Sequence, residues 1–291
     1  MSCSQADWDL AKRIVRRPGI GRLGRFCKSY QGEVNETNEG KRAGVLYGEP
    51  GLGRKLVLRG SNVCLYVLRK ASQGEDIYID EAAFHADRRP DSKSFHTRYA
   101  RIGFQRSSPQ NNYRRLIAAY VPAGEFCFDT VSYIPQVNTS RLSPNFLLAL
   151  LNSKLLDWYF RLGSTNSKVN EYQFNNLPCP VFREAGDRED RILVGRARAA
   201  LDNDPLDAVS QVAPALVTAP FGPAALDLLE ALARRLRAFE ERRGIISRSA
   251  RAALCAEAEP YQRALDLLIF RLAGLSESES AGIEERLIQM L

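Results

Sequence analysis

The sequence predicts an α+β fold: a β-rich domain with one central buried helix, followed by a helical C-terminal region. Three observations carry that reading. Short apolar runs alternate with turn residues up to about residue 135, an almost unbroken apolar stretch follows Ser143, and leucines recur at helical spacing beyond residue 223.

Along the chain, the first 27 residues are basic and punctuated by glycine, with Lys12, Arg13, Arg16, Arg17, Arg22 and Arg25, and they read as a flexible basic N-terminal arm (1–27). Residues 28–182 form the β-rich domain. Strands are expected in Arg54–Arg59, Val63–Leu68, Asp76–Ile79, Ile102–Gln105, Leu116–Val121 and Phe126–Phe128, each rich in β-branched or aromatic residues and bounded by Gly, Pro, Asn or Ser. Ser143 can cap a helix with Pro144 in its first position, and the run from Phe146 to Phe160 then predicts one buried helix ending near Gly163. The prolines flanking Cys179 exclude a central strand there. Residues 183–291 are expected to be helical. Leu226, Leu229, Leu232, Leu236 and Phe239 mark one stripe, and Tyr261, Leu265, Leu268 and Leu272 mark another. Gly274 fits a C-cap, and Ser276 with Glu279 fits a capping box that opens a last helix. The Pro-containing stretch from Asp202 to Pro223 reads as a connection between packed layers.

Charge is unevenly divided. Residues 1–182 hold 26 Lys and Arg against 16 Asp and Glu, whereas residues 183–291 hold 15 against 18, so the net +7 conceals a +10 portion and a −3 portion. A localised positive excess is the footprint of a polyanion-binding face, although charge alone does not separate DNA, RNA and an anionic membrane. The longest apolar run, Phe146–Leu151, is too short to span a bilayer, and the N-terminus has no signal-peptide pattern, so a cytoplasmic protein with no membrane partner is expected. The six cysteines show no C-x-x-C pair, which argues for free thiols rather than zinc or disulfides.

Several motifs fail on context. Gly19-Ile20-Gly21-Arg22-Leu23-Gly24 matches G-x-G-x-x-G, but a basic segment rather than a hydrophobic strand precedes it. In Gly48-Glu49-Pro50-Gly51-Leu52-Gly53-Arg54-Lys55, Arg54 and Lys55 stand where a P-loop needs lysine and a hydroxyl. His85 and His96, the only histidines, lack a partner pattern that would orient a base and read as surface residues. Pro90-Asp91 leaves no room for the second carboxylate of a nuclease motif. No catalytic residue and no metal ligand is therefore expected.

Three loop clusters combine guanidinium, amide and aromatic groups, the side chains that grip phosphates and pair with base edges. They are Arg59 with Ser61 and Asn62; Gln105, Arg106, Gln110, Asn111, Asn112, Arg114 and Arg115; and Asn166, Lys168, Asn170, Tyr172, Asn175 and Asn176. The candidate DNA-binding set drawn from them is Arg59, Asn62, Gln105, Arg106, Asn111, Asn112, Arg114, Arg115, Asn166, Lys168, Asn170, Tyr172 and Asn175. Any single amide could equally serve ordinary turn chemistry; the case rests on three clusters within the +10 portion.

The segment Asn145-Phe146-Leu147-Leu148-Ala149-Leu150-Leu151-Asn152-Ser153-Lys154-Leu155-Leu156-Asp157-Trp158-Tyr159-Phe160, with its exit Leu177-Pro178-Cys179-Pro180, resembles the TaqI-like C-terminal specificity domain of adenine-N6 DNA methyltransferases and type IIG restriction-modification enzymes. Weaker likenesses lie at Gln31–Asn35, Leu58–Val63 and Ile102–Thr130, so about residues 28–182 are covered, and Leu265–Ser276 resembles the helical ending of these enzymes. The resemblance implies a target-recognition domain that docks in the major groove of double-stranded DNA and sets which site a catalytic part modifies. It does not extend to catalysis. The family's N-P-P-(Y/F) motif and its Gly-rich S-adenosylmethionine turn are both missing from this sequence. The expectation is a specificity part with no cofactor of its own. S-adenosylmethionine, and any site-specific adenine methylation, would belong to a partner methyltransferase or endonuclease subunit. Two alternatives stay open: a split or truncated adenine-specific methyltransferase working with a separate catalytic subunit, and a basic module that binds an acidic protein or RNA.

Overall fold

The computed structural model describes residues 4–70, 76–135, 142–163, 167–184, 186, 188–244 and 249–289. It is an α+β structure. In chain order the elements are α1 (Gln5–Arg16), β1 (Ile20–Arg22), β2 (Tyr30–Gln31), α2 (Glu36–Glu39), β3 (Leu46–Tyr47), β4 (Arg54–Leu58), β5 (Tyr78–Asp80), α3 (Glu81–His85), β6 (Arg101–Gln105), β7 (Ala118–Val121), β8 (Phe126–Cys127) and β9 (Val131–Pro135). There follow α4 (Pro144–Leu151), α5 (Lys154–Gly163), α6 (Glu171–Asn175), β10 (Pro178–Pro180), α7 (Arg188–Leu201), α8 (Pro205–Gln211), α9 (Pro223–Arg242), α10 (Glu259–Leu272) and α11 (Glu277–Gln289). Among the described residues no helix is long and apolar enough to cross a membrane.

The strands form three small sheets. One is antiparallel with order β2-β9-β6-β7, in which Gly103 stands opposite both Tyr133 and Ala119. A second has order β3-β5-β4-β8, with β4 and β8 parallel, and β1 pairs with β10 in a third. Between the first two sheets lies a buried ion pair. Arg101 Nη1 donates to Glu33 Oε1 and Oε2 at 3.1 and 3.0 Å, Cys127 N donates to Glu33 Oε1 at 2.9 Å, and the guanidinium lies over the Tyr133 ring. Both side chains are fully enclosed, so neither charge could be left without the other. The chain can pass this closely only because residue 32 is glycine: a Cβ there would meet the Phe128 carbonyl oxygen at 2.0 Å.

The core runs past residue 182 without interruption. Side chains of β6, β7, α4 and α5 share one apolar cluster with Leu228, Leu229 and Leu232 of α9, Leu265 and Leu268 of α10 and Ile283 of α11. A smaller cluster of Val34, Val45, Val57, Ile79, Phe84, Phe126 and Phe128 fills the second sheet. The two C-terminal stripes are buried as their spacing predicts, Gly274 takes the left-handed conformation with φ +73°, and Ser276 and Glu279 form their capping box.

Four sequence expectations are corrected. Residues 5–27 are not a flexible arm: Ser4 caps α1 through Asp7, α1 packs on α5, and β1 lies in register with β10. Val63–Leu68 is not a strand, because Tyr66 at φ +68° turns the chain and leaves only the isolated bridges Val63–Leu68 and Tyr66–Ala119. Residues 202–223 include α8, which packs on α7 and α10. Finally, the helix expected from Ser143 to Gly163 is two helices, broken at Asn152 and Ser153.

Candidate nucleic-acid interface

The break between α4 and α5 positions the loops. Asn152 turns its buried amide onto the backbone of β7 and pairs with it in both directions: Ala118 N donates to Oδ1 and Nδ2 donates to the Ala118 carbonyl, each at 2.9 Å. Ser153 Oγ donates to the Leu150 carbonyl at 2.8 Å. One turn later, Asp157 Oδ1 accepts from Arg115 N at 2.6 Å and Leu116 N at 3.0 Å. These two side chains thus take up the backbone N–H groups of Arg115, Leu116 and Ala118, and Asn152 shares the Ala118 carbonyl with Tyr66 N. Asp157 Oδ2 also accepts from Arg161 Nε at 2.9 Å, and the rest of that guanidinium donates to the carbonyls of Gln110 and Asn112, both at 2.8 Å. The N-S-K-L-L-D frame is therefore a scaffold that clamps the second loop cluster from beneath.

C-terminal residues reach the same point. Lys154 N, at the start of α5, donates to Asp266 Oδ1 of α10 at 2.8 Å, and Gln262 Nε2 donates to Asp266 Oδ2 at 3.1 Å. Tyr66 OH donates to Gln262 Oε1 at 2.6 Å. Burial raises the Asp266 carboxyl above the ordinary aspartate range, opposed by Arg114 and Lys154.

The three clusters converge through their backbones. Ser108 N donates to the Ser167 carbonyl and Val169 N to the Arg106 carbonyl, both at 2.8 Å, with Ser107 opposite Lys168. Loop two is thereby zipped to loop three. Arg106 N donates to the Thr130 carbonyl at 3.0 Å while Gly60 N donates to Thr130 Oγ1 at 3.1 Å, which sets loop one beside loop two. On the far side of loop three, Leu23 N donates to the Leu177 carbonyl at 2.9 Å, and Arg22 bonds the Asn176 amide oxygen.

Within this face the predicted residues divide. Asn111, Lys168, Asn170 and Tyr172 are exposed, and Arg59 and Arg106 are half-buried at its surface. Arg59 forms an ion pair with Glu36 at 3.0 Å and lies over the Phe128 ring; Arg106 Nη1 donates to the Asp129 carbonyl at 3.4 Å. Asn175 is half-buried, close against Gly24. Asn166 lies outside the described residues. The remaining five turn bonding groups inward, and for Asn62 and Arg115, which are buried, this corrects the expectation. Asn62, 3% exposed, accepts from Arg59 N and donates to the Arg69 carbonyl, closing its own turn. Arg115, 1% exposed, lies over the Phe160 ring, and burial together with Arg161 lowers its pKa. Gln105 donates to the Val63 carbonyl, Asn112 to Ser108 Oγ, and Arg114 to the Asn152 carbonyl. Gln105, Asn112 and Arg114 are half-buried, and each spends one of these bonds on bracing the loops.

Sequence reasoning missed Arg22, Arg25 and Lys28 as part of this face. All three are exposed, and β1–β10 pairing brings their segment beside α6. Their charge was visible in the sequence, but nothing local predicts a partner more than 150 residues away. The histidines are also less exposed than expected. His85 stacks on Phe95 with its Nε2 3.0 Å from the Ser94 carbonyl, and His96 Nδ1 lies 3.1 Å from Tyr133 OH. Burial, then Arg101 and Lys93, hold His96 below the usual imidazole range. Among the described residues no group of His, Cys, Asp and Glu could hold a metal ion, and burial pushes the thiols of Cys27 and Cys127 up to about 12.

No family model matches the chain, and no curated protein matches it. Among solved structures it is similar to the type IIL restriction-modification enzyme MmeI, determined in complex with DNA, at 11% identity and TM-score 0.44, covering 94% of this chain and 36% of that one. The chain thus spans about a third of the enzyme's length, and a superposition this loose carries no argument about function.

Proposed function

We propose that the chain reads double-stranded DNA through the converged loops and supplies specificity to a catalytic restriction-modification partner. The observation that supports this is the convergence itself: guanidinium, ammonium and amide groups from three distant segments are zipped by backbone hydrogen bonds onto one face of the +10 portion. Arg22, Arg25, Lys28, Arg106 and Lys168 supply phosphate anchoring, while Asn111, Asn170 and Arg59 are the candidates for base edges. On this reading methylation, S-adenosylmethionine and any strand cleavage belong to that partner.

Mobility shifts with random duplexes at graded salt test the reading. Binding at low salt should weaken steeply with added salt, each phosphate contact contributing about 0.9 to the logarithmic slope. Absence of binding to duplex at low salt would refute it, and stronger retention of structured RNA than of duplex would favour the basic-module alternative.

A further inference from the structure

A groove of about 440 Å³ opens between α1, α5 and α6, at the edge of the face described above, with which it shares Tyr172 and Arg22. Its walls include Trp8, 41% exposed, and Tyr172, 79% exposed, with Tyr159 and Val15 between them and Lys12 and Arg22 at the rim. Among the described residues no carboxylate lines it. Gln173 also lines it, and its Oε1 is a buried acceptor with no hydrogen-bond partner among the described residues.

We propose that this groove takes a single unpaired, unstacked nucleotide from the DNA held by the neighbouring loops. The proposal rests on the DNA-recognition reading and adds a second kind of contact to it. A nucleotide combines an aromatic face with an adjacent negative charge, and the groove offers the complement of both: exposed aromatic walls for stacking and a purely cationic rim for the phosphate. The volume admits a base and its sugar. Tyr172 near the start of α6 lies two residues after Asn170 and four after Lys168, so the groove opens beside the third loop. An amphipathic protein helix without acidic side chains fits the groove less well, because it leaves the cationic rim unanswered.

The test compares the full chain binding a duplex with one bulged 2-aminopurine against the same duplex fully paired, at low salt. The bulged duplex should bind roughly fivefold or more tightly, as expected for one base–aromatic stack, and its 2-aminopurine emission should be quenched. Trp8→Ala, which removes a wall, and Val15→Phe, which fills the floor, should abolish the preference and the quenching while paired-duplex affinity and circular dichroism hold. Equal binding of both duplexes by the unsubstituted chain overturns the groove and leaves the recognition reading standing. Binding of the bulged duplex alone supports the groove and overturns recognition of paired DNA; if neither binds, both fall. Since Trp158 is fully buried, a change in tryptophan emission reports Trp8, and a change elicited by an acidic amphipathic peptide but not by the bulged DNA reassigns the groove to protein and overturns the proposal.

Discussion

Two polar sets, each combining asparagine with a basic residue, lie beneath and within the loops of this protein and do opposite work. Asn152 at the break after α4, with Asp157 and Arg161 on α5, is buried and bonds backbone groups of 110–118 together with them; Asn111, Lys168 and Asn170 lie in the loops and face solvent. The first set holds the second in place. The contrast shows that in this fold an Asn or Arg near a loop is assigned its role by burial, and that the polar residues most distinctive in the sequence are structural.

Substitutions can break that contrast, and the largest effect is expected at Asp157. Asp157→Ala strips acceptors from Arg115 N and Leu116 N and leaves Arg161 buried without its carboxylate, a loss of about 3–5 kcal/mol in urea unfolding. Less than 1 kcal/mol there would mean that water replaces the carboxylate and that the clamp is dispensable. Asn152→Ala comes next, at about 1–3 kcal/mol, because Ala118 N loses its acceptor, while the Ala118 carbonyl keeps the hydrogen bond from Tyr66 N; unfolding by denaturant measures it, and an unchanged midpoint contradicts the pairing.

A smaller effect comes from pH at the junction with α10. Because Asp266 has a raised pKa in the folded state, the native chain binds the proton more tightly than the unfolded chain. Stability from this group is therefore greatest at low pH and falls as pH rises from the ordinary aspartate range through the raised folded value. Asp266→Asn should flatten that decline in a plot of Tm against pH while keeping an acceptor for Lys154 N. An identical slope in the variant would place the titration elsewhere.

The smallest stability effects belong to the outward set. Arg106→Ala and Lys168→Ala should each change stability by no more than about 0.5 kcal/mol, yet each should reduce the salt slope of DNA binding by about one. If either instead lowers Tm as much as Asn152→Ala while leaving the slope unchanged, the division between scaffold and reading face collapses.

Much of this was legible in the chain. The position of the buried helices followed from Ser143, Pro144 and the apolar run, and the C-terminal stripes from leucine spacing, because helix burial is a local periodicity. The interruption at Asn152 was not legible. Asn-Ser within such a run is compatible with a continuous helix until a strand edge at Ala118 offers its backbone. β9 was likewise missed: Val131–Pro135 is short and ends in proline, yet it lies between β2 and β6. The candidate site was half legible, since charge and amide content marked the loops but could not separate Asn111 from Asn62.

By itself the sequence determined the α+β class, the helical C-terminal region and the placement of positive charge in residues 1–182, all of which depend on composition and short-range spacing. Only the tertiary structure decided that residues 5–27 pack onto the body, that the core continues past residue 182, and which members of the three loop clusters face outward. Those outcomes depend on hydrogen bonds between segments far apart in the chain, such as Val169 to Arg106 and Lys154 to Asp266. A buried polar group must find a partner wherever the fold brings one, and no local pattern specifies where that is.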